Sequence, residues 1–208
     1  MHSLILAGSN FLSDASNDRY MQLGDQIKAL CDFSKVVVLA SDIPTPQFVK
    51  NFEDVVFYQI PPKTAGALAT AAYGLSKIPR GESFVVVPAN SFIKNDGINR
   101  FQENMSRRAV DVGAIVFEGR DPIFSFARVD SEGDISEIIE KEISGSCALA
   151  GVYYFRSTIL LSKCIEWAMV NNVNHEGNFY ISPALNYFLA NSIPISLYKI
   201  PPQDYLRH

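Results

Sequence analysis

The sequence has little cysteine. Cys31, Cys147 and Cys164 stand far apart, with no CxxC pair among them. A sparse, odd set argues against a disulfide frame and a zinc site, and fits reduced thiols in a cytoplasmic protein. Long hydrophobic runs are missing too. No run reaches the roughly 18 apolar residues of a membrane span. The apolar start, Met1 to Gly8, is short and carries no Lys or Arg, so it does not read as a signal peptide. Charge is modest, with 19% charged residues and a formal net charge of −4. That balance excludes a broadly basic nucleic-acid surface, and no nucleic-acid partner is expected. Histidine is scarce: His2 and His208 lie beside the ends, and His175 sits in an Asn-His-Glu-Gly stretch that reads as an ordinary loop.

Several signatures are also missing. There is no GxxxxGK[ST] loop, no GxGxxG after the first strand, no GxSxG elbow and no HExxH. A Walker-type cradle, a dinucleotide fingerprint, a hydrolase elbow and a zinc protease are thereby disfavoured.

What remains is a chain of 208 residues, 48% apolar, enough for a substantial core. Ser3 to Ala7, Lys35 to Ala40, Val55 to Tyr58 and Phe84 to Val87 are short apolar or β-branched runs. They read as strands, the longer ones buried on both faces as in a parallel sheet. Between them, Arg19 to Cys31 has helical spacing, and Ala65 to Lys77 is rich in Ala and Leu. Asp96 is positioned to cap a helix reaching about Arg108. Strands alternating with helices predict an α/β fold with a Rossmann-like, mostly parallel sheet flanked by helices.

The second half changes style. Strands are expected over Val112 to Phe117, Ile123 to Val129, Ile135 to Ile139 and Leu149 to Phe155. Turn-rich Glu118 to Pro122 and Asp130 to Asp134 predict an antiparallel hairpin region. Ser157 can cap a helix to Met169, and Ser182-Pro183 can start one to about Asn191. Ile195 to Ile200 closes the pattern as a strand. The stretch Val152 to Phe155 is a core strand or an aromatic platform, and burial statistics favour core.

In an open parallel sheet, ligands meet the carboxyl ends of the strands. Two loops there stand out. Lys63-Thr64-Ala-Gly66-Ala67 opens a helix, where free N–H groups suit an anion or a base carbonyl and small residues admit a ligand to the backbone. Tight helix–sheet packing is the plainer reading of the same residues. Asn90, in Pro88-Ala-Asn90-Ser91, stands after a central strand, where a carboxylate would hold Mg²⁺ against phosphates. As an amide it is a weaker ligand, or simply a turn residue.

Taken in order, these segments resemble the sugar-phosphate nucleotidyltransferases, the nucleoside-diphosphate-sugar pyrophosphorylases. Leu4-Ile-Leu-Ala7-Gly8, followed by Ser9, resembles the family's first strand and loop. Lys63-Thr-Ala-Gly-Ala-Leu68 is similar to its base-recognition segment, and Phe84 to Ile93 to the strand and loop that end in a metal-binding Asp. Ile138-Ile-Glu140-Lys141 resembles the Glu-Lys pair that contacts the sugar phosphate, and Ala148 to Phe155 the next strand, where Gly151 would lie against the sugar. Phe179 to Leu185 and Pro202-Gln-Asp-Tyr-Leu206 are similar to the late helix start and the closing segment.

The resemblance implies one nucleotidyltransferase-like domain over 1–208, with a nucleotide-binding half to about 108 and a sugar-binding half beyond, in a glycosyltransferase-A-like arrangement. It implies a nucleoside triphosphate and a sugar phosphate or other small phosphate as partners, with release of pyrophosphate. Such chemistry belongs to capsule or surface-polysaccharide synthesis, and a homo-oligomer is compatible with it. Mg²⁺ would be the cofactor of an active enzyme; a degenerate relative would need none. Ala7, Gly8, Ser9, Lys63, Thr64, Gly66, Ala67 and Asn90 would bind nucleotide. Glu140, Lys141 and Gly151 would bind sugar. Lys141 and Arg19 would stabilise charge during transfer.

The departures fall on the catalytic groups. The family's G-G-x-G-x-R loop is replaced by Gly8-Ser-Asn-Phe-Leu-Ser13, and its following Pro-Lys is missing. Asn90 stands where the first metal Asp is expected, and the second falls near Tyr198. Two readings stay open on sequence alone. One is a transferase using Lys63, Lys141 and Arg19 as charge clamps. The other is a degenerate relative that binds nucleotide, sugar or a partner protein as regulator or scaffold. A glycosyltransferase-type fold comes third, because no Asp-x-Asp motif occurs.

Overall fold

The computed structural model describes residues 1–8, 17–42 and 44–207. In chain order the strands and helices are β1 (His2–Leu6), α1 (Asn17–Cys31), β2 (Lys35–Ala40), α2 (Pro46–Lys50), β3 (Val56–Gln59), α3 (Ala67–Gly74), β4 (Phe84–Pro88), β5 (Ser91–Ile93) and α4 (Gly97–Arg107). There follow β6 (Val112–Glu118), β7 (Ser125–Val129), β8 (Ile135–Glu140), β9 (Cys147–Phe155), α5 (Thr158–Val170), α6 (Ile181–Ala184), α7 (Asn186–Ala190), β10 (Ile195–Lys199) and β11 (Tyr205–Arg207).

The central sheet runs β10-β6-β9-β4-β1-β2-β3. β1 pairs in parallel with β2 and β4, β2 with β3, and β6 with β10. β9 runs antiparallel between β4 and β6. It joins the two halves of the chain through one sheet. The expected α/β architecture, mostly parallel with an antiparallel part, is therefore present.

Period-two alternation explains the layers. On β1, Leu4 and Leu6 face a core completed by Leu68 and Ala71 of α3, Leu161 of α5 and Ala184 of α6. Ile5 and the following Ala7 face the opposite core, with Leu23 and Ile27 of α1 and Phe101 and Met105 of α4. Both faces are covered, so β1 is buried at every position and reads as an unbroken apolar run. Among the described residues, no helix is long and apolar enough to cross a membrane.

Several local expectations need correction. The helix expected over Ala65 to Lys77 is α3 followed by a 3₁₀ turn at Leu75–Lys77. Asp96 precedes α4 with φ +53° and makes no side-chain cap; its left-handed backbone turns the carboxylate away from the extended geometry of a capping residue. Ser157 makes no side-chain cap either. Ser182 is not the cap of a late helix: α6 begins one residue earlier, and a second short helix, α7, follows. Glu118 to Pro122 does not close a hairpin. β9 lies between β6 and β7, and both pair with Ala148. The hairpin is β7–β8. Two further elements carry no local signal, β5 and β11, which pair with each other.

Candidate functional site

The order β3-β2-β1-β4 changes winding direction beside β1, and the crevice at the carboxyl ends of β1 and β4 is where such sheets receive ligands. A cleft of about 890 Å³ opens there. Its floor holds Leu6, Ala7 and Gly8 at the end of β1, Pro88 at the end of β4 and Asn90 after it. One wall is the start of α3, with Thr64, Gly66 and Ala67. The opposite part carries Glu140, Lys141, Gly151 and Tyr180. Arg19 of α1 also lines it.

The cleft thus gathers residues expected from both halves of the chain. Ala7, Gly8, Thr64, Gly66, Ala67, Asn90, Arg19, Glu140, Lys141 and Gly151 all border it. Lys63 does not: it is exposed and outside the lining. Its neighbours Thr64 and Gly66 do line the cleft. Ser9 lies outside the described residues.

The α3 entrance is tightly built. Gly66 has φ +98°, and a Cβ there would stand 2.5 Å from the carbonyl oxygen of Phe179. Only glycine fits such a backbone and such an approach. The segment is sewn to Phe179 on both sides: Phe179 N–H donates to Ala65 O at 2.8 Å, and Leu68 N–H donates to Phe179 O at 3.0 Å. Thr70 Oγ1 donates to Gly66 O at 3.1 Å, and the Thr64 and Thr70 hydroxyls are 2.6 Å apart. The packing reading of Gly66 is therefore met, at a place that also borders the cleft. The Leu68 N–H is already occupied, so it is not free for an anion or a base.

The sugar half is an organised polar cluster. Glu140 ends β8 and accepts hydrogen bonds on Oε2 from Ser125 of β7 and from Ser182 of α6, the latter at 2.6 Å. Tyr153 of β9 hydrogen-bonds Ser182. Burial, followed by the Glu140 charge, pushes the Tyr153 phenol above its usual pKa, against the opposing effect of that hydrogen bond. The aromatic stretch is thus a core strand whose Tyr153 hydroxyl reaches the cleft. Lys141 follows in a left-handed turn, φ +54°. Its Nζ donates to the Tyr180 hydroxyl at 3.0 Å and stands 4.8 Å from that ring's centre. The Tyr180 bond chiefly, with help from the Glu140 and Glu176 charges, raises the Lys141 pKa and keeps the ammonium charged.

Gly151 interrupts β9. The register against β6 shifts between Ala114 and Val116, and Gly151 has φ +79° at that irregularity. A Cβ would stand 2.9 Å from the Pro88 ring. The bulge brings bare backbone to the cleft beside β4.

Local reading of the sequence misses two supports. Asn186 of α7 accepts from Ile138 N–H at 2.9 Å and donates to Ile138 O at 2.8 Å, tying β8 to the late helices. Ser182, expected as a cap, instead fixes Glu140. The only advance signal is the closeness of Ser182 and Asn186 to Phe179-Tyr180.

Mg²⁺ asks for hard oxygen ligands, usually one or two carboxylates with phosphates. Among the described residues, Asp18 and Glu140 are the carboxylates lining the cleft, and Glu140 is engaged by two serines. No group of three His, Cys, Asp or Glu among those residues is placed to hold a metal. Tyr198 packs its ring 5.7 Å from Phe101 and does not line the cleft. Asn90 offers an amide, and Arg207 borders the same region. Among the described residues, Asn90 thus offers no carboxylate where the resemblance expects one, and Asp18 and Glu140 are the acidic groups left to the cleft.

No family model matches the sequence, and no curated protein matches it at the level of sequence. Solved structures do match its fold. A nucleoside-diphosphate-sugar pyrophosphorylase from Vibrio cholerae superposes with a TM-score of 0.78 at 15% identity, covering 100% of this chain and 95% of that one. A protein assigned as a glucose-1-phosphate thymidylyltransferase from Bacillus anthracis, solved with sucrose, gives 0.73 at 16% identity over 96% of this chain and 87% of that one. The chain thus has the fold of sugar nucleotidyltransferases.

Proposed function

We propose that this chain binds a nucleotide and a sugar phosphate, or another small phosphate, side by side in the cleft, and that it does so without a protein-held metal. One observation carries the reading. A single cleft unites the α3 entrance and the β1 and β4 ends with the Glu140–Lys141 cluster, and the neutral amide of Asn90 stands in it where the resemblance expects the first metal-binding carboxylate. Base and ribose would lie against Ala7, Gly8, Gly66 and Ala67, where small residues allow close approach. Sugar hydroxyls would meet Glu140, whose carboxylate is oriented by two serines. The Lys141 ammonium would meet the phosphate. As a role, this suits a sensor or scaffold in surface-polysaccharide synthesis better than a catalyst.

A second reading, nucleotidyl transfer, is favoured by Lys141 and Arg19 bordering the same cleft. In it, a sugar-phosphate oxygen attacks the α-phosphorus of a nucleoside triphosphate. The bond from that phosphorus to the bridging oxygen breaks, and pyrophosphate leaves. Fixed cations would stabilise the developing charge.

The test is pyrophosphate release beside calorimetry. The protein is offered the four ribonucleoside triphosphates and thymidine triphosphate, with Mg²⁺ and a panel of sugar 1-phosphates. Binding with no release beyond a protein-free control is the expected result. Robust release establishes the second reading. No heat and no release with any ligand discards both.

A further inference from the structure

We infer that Arg207, on the last strand, is a phosphate-anchoring residue of the cleft, placed beside Asn90. The inference rests on the binding function proposed above and names a group that the family resemblance did not supply.

The register of β11 against β5 carries it. Arg207 pairs with Ser91, Leu206 with Phe92 and Tyr205 with Ile93. Arg207 is therefore across from the residue that follows Asn90. Alternation puts Tyr205 and Arg207 on one face of the strand, and both line the cleft. The Tyr205 hydroxyl reaches diagonally across the pair to Ser91, the register partner of Arg207, with the two oxygens 3.2 Å apart. Tyr205 also stacks on Phe117, with ring centres 4.5 Å apart.

The arginine is held but not neutralised. Its guanidinium carbon stands 5.7 Å from the centre of the Phe124 ring, in cation–π range. Among the described residues it forms no ion pair with a carboxylate. It is exposed, so its donors are open to a ligand. Guanidinium is always charged, weakly hydrated and shaped to grip two phosphate oxygens at once. A positive charge in the cleft that Asn90 also lines disfavours a divalent cation there. The two features are complementary: the amide removes the carboxylate that would attract a metal, and the arginine supplies the positive charge in the protein itself. The anion recognised is a phosphate or polyphosphate group.

The test uses the full chain in EDTA. Calorimetry compares wild type, Arg207→Ala and Arg207→Lys, with circular dichroism confirming that each is folded. The probes are inorganic tripolyphosphate, the nucleoside triphosphate that wild type binds most tightly, and the parent nucleoside. We expect Arg207→Ala to weaken both polyphosphates by about tenfold or more, to leave the nucleoside unchanged, and Arg207→Lys to recover part of the loss. Equal affinity of wild type and Arg207→Ala for both polyphosphates overturns the inference and leaves the binding reading standing. An equal loss for the nucleoside assigns Arg207 a merely structural part and also overturns it. Wild type that binds none of the probes fails the proposed function itself.

Discussion

Asn186 grips Ile138 with both ends of its side-chain amide, accepting at 2.9 Å and donating at 2.8 Å. The amide acts as a neighbouring strand would, satisfying both backbone groups of a residue on β8. It holds the strand that ends in Glu140 against the helices that carry Ser182, so the carboxylate and its serine meet. Asn186→Ala would leave the Ile138 N–H and C=O without partners where Ile138 is buried. Each unsatisfied group costs about 1–3 kcal/mol. We expect a total loss of about 2–6 kcal/mol, on the same basis, read from urea unfolding. An unchanged midpoint would show that the clamp carries no stability.

Gly66 supports the fold at the cleft wall. Gly66→Ala forces a Cβ against the Phe179 carbonyl and an L-residue into φ +98°. Gly81 has a similar φ of +99° with nothing within 4 Å of its would-be Cβ. Gly81→Ala therefore measures the backbone penalty alone, and Gly66→Ala should cost more than about 1 kcal/mol beyond it. Equal thermal shifts would deny the Phe179 contact its importance. A bulky residue at Gly66 is consequently no clean probe of base binding, because it disturbs the Ala65–Phe179 pairing first.

Tyr153 makes stability depend on pH at the alkaline end. Its phenol has a folded pKa raised above the usual 10. The unfolded chain therefore loses this proton first as pH rises. The associated stability is fully present below about pH 10 and is lost above it, until the folded pKa is passed. Tyr153→Phe should flatten part of that decline while leaving the slope below pH 9 unchanged. Denaturant midpoints measured from pH 8 to 11 test this. Parallel slopes above pH 10 would show that Tyr153 ionises freely.

Lys141 should act on phosphate and not on folding. It is bonded to Tyr180 and only half buried. Lys141→Ala is expected to weaken binding of a sugar 1-phosphate by about tenfold or more, with little change in melting temperature. An unaffected affinity would return Lys141 to an ordinary surface role.

The layers of this fold are written locally. Leu4 to Ala7, Val36 to Ala40 and Phe84 to Val87 are buried runs because both sheet faces are covered, and short β-branched runs between helical stretches announce that. The loops at the strand ends could be named for the same reason, and most of their residues do border one cleft. What could not be read depends on contacts distant in sequence. Nothing near Tyr205 or Arg207 indicates that this strand pairs with Ser91 to Ile93. Ser182 followed by proline looks like a cap, yet its partner is Glu140, 42 residues away. Thr64 and Gly66 line the cleft while the adjacent Lys63 is exposed outside its lining, a difference that composition does not encode.

The most direct measurement is calorimetric titration of the full chain with nucleoside triphosphates and a sugar 1-phosphate, in EDTA and again in excess Mg²⁺. Pyrophosphate is assayed in the same solutions. Binding in EDTA within a few-fold of that in Mg²⁺, with no pyrophosphate formed, is the predicted result. Binding that appears only with Mg²⁺ and is accompanied by pyrophosphate release would contradict the account.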